Sequence, residues 1–146
     1  MRWYTEGMTF EGNGNVGIPP ASEIPHYHGD EARILFVINA LVIIVAQSTG
    51  AQLPLSTTGA VVSATVLVIA AGITNPTISW IHWLNAVIAI TGTLLFGTSA
   101  IDYYRAGVNL LAPSFIYLEL LALLSLIALY FTTRTIRGRI LRSMNR

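Results

Sequence analysis

Three groups of side chains in this chain are equipped for chemistry, and each also has a plain structural use. His26, Tyr27 and His28 stand just ahead of Asp30 and Glu31. Two imidazoles and two carboxylates so placed suit Zn²⁺ or another divalent ion. Carboxylates also favour a helix N-terminus, through caps and the helix dipole. The second use is the one adopted: Asp30 and Glu31 open a helix, and no metal is expected at His26, His28, Asp30 and Glu31.

The second group is His82 with Asn85 one turn on, and Asn39 at similar depth in an earlier helix. Haem would want a second His facing His82, and the sequence offers none at that depth. A quinone pocket needs only a His and an aromatic wall, which Trp80 and Trp83 could supply. Buried amides and imidazoles in membranes act mainly as hydrogen-bond glue, worth on the order of 1 kcal/mol each. Glue is the reading taken, and no cofactor is expected. The third group is Glu119, early in the last apolar segment, with Asp102 and Arg105 at the end of the one before. Intramembrane ionisable residues default to functional candidates. Here an interhelical tether near the water interface comes first, and a proton or ion path second.

The elements that must carry these groups follow from one property. From Ile34 to Ile101 the chain has no Asp, Glu, Lys or Arg. Charged residues make up 10% of the whole and hydrophobic ones 53%, against about 25% charged in a typical soluble domain. The run is punctuated by Gln47-Ser48-Thr49-Gly50 and Thr74-Asn75-Pro76-Thr77, and a further apolar segment, Phe115 to Phe131, follows Asp102-Tyr103-Tyr104-Arg105. About 20 mostly apolar residues cross a bilayer core of roughly 30 Å. The fold expected is therefore all-α and integral to the membrane. It is a four-transmembrane-helix bundle with an irregular N-terminal arm over 1–29, helices near 30–48, 56–74, 78–104 and 114–134, and a basic tail over 135–146. Within the bundle, the apolar parts of the first two helices are short, so their flanking polar residues must lie at depth or the bilayer must thin.

Composition also excludes several chemistries. There is no Cys, which removes disulfides and thiolate catalysis, and no Lys, which removes Schiff-base linkages. No nucleophile and base can be paired, so an enzyme is not expected. Met1–Glu31 lacks the basic start and apolar stretch of a signal peptide. Its Trp3, Tyr4 and Phe10 suit the headgroup interface.

Small residues recur at helical spacing. Ala89, Thr93 and Gly97 do so on the third helix, and Gly59 with Ser63 and Ala60 with Ala64 on the second. Packing drives helix association in lipid, and small side chains let backbones close together. These positions predict that helices two and three form the bundle centre or an oligomer contact. The Leu-rich fourth helix is expected to face lipid.

Arg134, Arg137, Arg139 and Arg142 follow the last span and Arg33 flanks the first. By the positive-inside rule both termini are cytoplasmic, in a multi-pass protein of the cell (inner) membrane. The terminal arginines are expected to meet anionic lipid headgroups, and no nucleic-acid partner is expected.

Gly72-Ile73-Thr74-Asn75-Pro76, then Trp80-Ile81-His82-Trp83-Leu84-Asn85, together with His28-Gly29-Asp30-Glu31 before the first helix, resembles small uncharacterised membrane proteins of Patescibacteria (candidate phyla radiation). The resemblance covers residues 26–105. It rests on turn and cap chemistry plus interface tryptophans, and it implies no activity. The long N-terminal arm and the fourth helix depart from that group. The function expected from the residues is a non-catalytic structural or assembly subunit of a larger membrane complex or homo-oligomer. A small oligomeric channel or transporter is the alternative.

Overall fold

The computed structural model describes residues 29–74 and 79–144. Among them stand four helices and no strand: α1 (Gly29–Ser48), α2 (Thr57–Ile73), α3 (Ser79–Arg105) and α4 (Pro113–Met144). Each boundary has a local cause. Asp30 and Glu31 occupy the first turn of α1. At its other end Gly50 has φ 74°, Ala51 N–H donates to the Ala46 carbonyl at 3.0 Å, and Gly50 N–H donates to Gln47 at 3.2 Å. That pair of bonds around a left-handed residue is a Schellman stop, which glycine adopts without steric penalty. Gly107, at φ 71°, ends α3 in the same way: Val108 N–H donates to Tyr103 at 3.2 Å and Gly107 N–H to Tyr104 at 3.1 Å. Ser56 caps α2 by accepting from Gly59 N–H at 3.1 Å. Pro113 opens α4, where its missing N–H costs nothing.

Two layers of side chains hold the helices. Phe36 packs with Ala70, Ala71, Ala89 and Ala128; beyond it Ile43 packs with Ala60, Phe96, Ala100, Leu118 and Leu121. Successive helices therefore run antiparallel, with α1 against both α2 and α4, and α3 along α4. Contact between α2 and α3 is slight, and a cleft of about 230 Å³ floored by Ile43, Leu67 and Phe96 separates them. This departs from the expected arrangement. α1 and α4 form the middle of the bundle, with α2 and α3 on its flanks. The leucines of α4 divide accordingly, Leu118 and Leu121 at 0% exposure and Leu123 and Leu126 about half exposed. Leucine fits lipid and a packed interface equally well, so its abundance does not say which side of a helix is inside.

Three helical segments, Asp30–Ser48, Trp80–Arg105 and Pro113–Gly138, are long and apolar enough to cross a membrane. The 17 residues of α2 are apolar but shorter, about 26 Å at 1.5 Å per residue. α4 also continues to Met144, so most of the segment expected as a separate basic tail is helix. No proline stands between Arg134 and Arg142, the helix runs on through Gly138, and cations near a helix C-terminus are favourable. The expected N-terminal arm lies outside the described residues, as do His26 and His28.

Candidate functional site

Polar side chains collect at the end of the bundle where α1 and α3 begin and α2 stops. The last carbonyls of α2 have no partners within their own helix, and its last turn holds no basic residue. Arg33 of α1 supplies one: its Nε donates to the Ala71 carbonyl at 2.9 Å. Its pairing with Asp30, at 3.7 Å and on the surface, adds little. From α3, Asn85 Nδ2 donates to Thr74 Oγ1 at 2.9 Å, and that hydroxyl donates on to the Ala70 carbonyl at 2.6 Å. Neighbouring helices thus finish the α2 terminus. Asn39, His82 and Asn85 are all buried, while Trp80 and Trp83 on either side of His82 are 60% exposed. Asn85 thus bonds across helices through Nδ2, while its Oδ1 and the Oδ1 of Asn39 are buried without a partner among the described residues. Arg33, anticipated only as a topological flank, is the cross-helix partner that sequence reasoning missed, because its acceptor is a backbone carbonyl.

Asn85→Ala is expected to cost about 0.6–1.7 kcal/mol, between the average and the largest value for interhelical hydrogen bonds in a membrane bundle. Thr74→Val should cost a similar amount, and the double variant little more than either alone. Denaturant titration in mixed micelles measures this cycle; fully additive losses would disprove the bond's contribution.

Of the mid-depth hydroxyls that could line a path, Ser63 lies in the α2–α3 cleft without a hydrogen bond among the described residues, and the other three are engaged. Thr65, Thr91 and Thr93 donate to Val61, Val87 and Ala89 carbonyls at 2.8, 2.9 and 2.8 Å. Such back-bonding satisfies the hydroxyl within its own helix. Thr65 and Thr91 also lie on the outside of the bundle.

The small-residue positions separate by role. Ala60, Ala64 and Ala89 are buried, as close packing needs. A Cβ on Gly59 would meet its own cap, Ser56 Oγ, at 3.3 Å, and one on Gly97 would meet nothing within 4 Å among the described residues. The close helix approach is instead at Gly92, where a Cβ would lie 2.7 Å from Ser125 Oγ on α4 and 3.3 Å from its Cβ. Thr93 and Gly97 line an outward groove between α3 and α4, about 390 Å³, together with Tyr104, Ala122, Leu126 and Glu119.

Glu119 is exposed in that groove and makes no hydrogen bond or ion pair among the described residues. The interhelical tether expected for it is not formed among the described residues; Asp102 and Arg105 are both exposed at the end of α3. Gly92 opposite Ser125 sets the α3–α4 register and leaves Glu119 about one turn deeper than Asp102. Arg134 and Arg137 are exposed near the far end of α4; the side chains of Arg139 and Arg142 lie outside the described set. No group of three His, Cys, Asp or Glu gathers among the described residues. No protein-family model, curated protein or solved structure matches this chain.

Proposed function

We propose that this is a non-catalytic membrane subunit of four spans, acting by lateral association with other membrane chains. The observation that carries the reading is Glu119: a carboxylate in a spanning segment that points away from its own bundle and has no partner among the described residues. Charged groups at membrane depth are costly and normally find a partner or a water-filled cavity. A second chain in the groove would supply the former. The interior speaks against a path through one protomer, since Phe36, Ile43, Leu118 and Leu121 fill it.

α2 is taken as the fourth span because it lies beside α1 from the Ile43 layer to the Phe36 layer. The bundle sits in the cell (inner) membrane with both termini cytoplasmic. Arg33, Arg134, Arg137, Arg139 and Arg142 then share one face, where each basic residue near anionic lipid contributes about 1 kcal/mol. Cysteines placed at Asn109 and Ser143 test the orientation. An impermeant thiol reagent applied to intact cells should label position 109 alone, and labelling of 143 alone would reverse it.

Association is tested by the mass of the particle extracted in mild detergent, and by ion flux through liposomes holding the pure protein. A mass above one protomer and flux no greater than in empty liposomes are expected. Flux that Thr93→Leu abolishes would make the channel the better reading.

A further inference from the structure

We propose that the α3–α4 groove is the contact face of a homodimer in which Arg105 of a second copy meets Glu119. This rests on the assembly reading above and names its partner. Thr93, Gly97, Ala100 and Ala122 give the groove a low floor, and no described residue comes within 4 Å of a Cβ placed on Gly97. A helix can therefore approach the backbone closely, as small residues permit in lipid.

Charge selects the occupant. Glu119 lies about 9 Å along the axis from Pro113, at 1.5 Å per residue, where a bare carboxylate is disfavoured. Between Arg33 and Arg134 the sole arginine or lysine is Arg105. It is exposed at the end of α3, beside Tyr104 of the groove, and has no ion pair among the described residues. Two copies related by a two-fold axis along the membrane normal sit at equal depth, and each presents what the other lacks. Such an interface is self-complementary, so the pair forms twice. The axial offset between Arg105 and Glu119 is about 10 Å by the same rise, which a long arginine reaching in and a glutamate reaching out span together. Asp102, also exposed near the end of α3, stays nearer the water interface.

The test uses the full chain in nanodiscs and mild detergent, with mass from light scattering. The wild type should be a dimer. Glu119→Arg and Arg105→Glu should each weaken it at least tenfold in Kd, and the double exchange should restore it. A second measurement does not depend on charge-altered folding. Gly97→Cys should form an intermolecular disulfide under mild oxidation, while Val87→Cys, exposed on a different face of α3, should not. Cross-linking at 87 and not at 97 overturns the proposal. An oligomer that ignores both charge variants, or a particle holding one copy with a different protein, overturns it too while leaving the assembly reading intact. A wild-type monomer with no associated chain ends both.

Discussion

Gly92→Leu is expected to lose most of the α3–α4 pairing, with a stability loss of about 3 kcal/mol or more. Even a single added carbon would stand 2.7 Å from Ser125 Oγ and 3.3 Å from Ser125 Cβ. A serine hydroxyl can rotate away, but its Cβ moves only with the α4 backbone. Gly92→Ala should therefore cost less, and Ser125→Gly should recover much of it. Overpacking a filled interface usually costs about 1–3 kcal/mol, and leucine extends well past the clash point, so the larger figure applies. Gly97→Ala is the control: its Cβ enters open space, and the bundle should unfold like wild type. Thermal or denaturant unfolding in micelles reads all four variants. A Gly92→Leu protein as stable as the wild type would show that α3 and α4 are not in close contact there.

The second large effect is expected at Leu121. Its side chain has 0% exposure, in the layer with Ile43, Phe96 and Leu118 where α1, α3 and α4 meet. In a soluble core Leu→Ala costs about 2–5 kcal/mol, the sum of a transfer term and a cavity term. In a bilayer the separated helix still sits in hydrocarbon, so the transfer term largely vanishes and packing remains. About 2 kcal/mol is the expected loss. Leu126→Ala, at 50% exposure on the same helix, should stay within about 0.5 kcal/mol of wild type. Equal effects at 121 and 126 would mean that α4 has no inward face, contrary to its central place in the bundle.

Gly92 and Leu121 also mark the limit of what could be read along the chain. The helices lie within a residue or so of their expected limits, apart from the extension of α4, because their ends are set by neighbours in sequence. Asp30 and Glu31 begin α1, Ser56 caps α2, Pro113 opens α4, and Gly50 and Gly107 take the left-handed turns that close α1 and α3. The capacity to cross a membrane was legible in the same way, since it depends only on how long the chain goes without charge. The facing of each helix was not. In a soluble protein, polar residues mark the outside; here lipid and core are both apolar, so Leu121 and Leu126 look alike until the helices are packed. The small-residue spacing singled out Gly97 and passed over Gly92 for the same reason, and only the position of Ser125 on α4 makes Gly92 the point of contact. Arg33 shows the limit for polar groups. Its acceptor is the Ala71 carbonyl, and a backbone group carries no signature in sequence. Tertiary structure decided these partners, because each depends on how helices distant in sequence rotate and slide against one another.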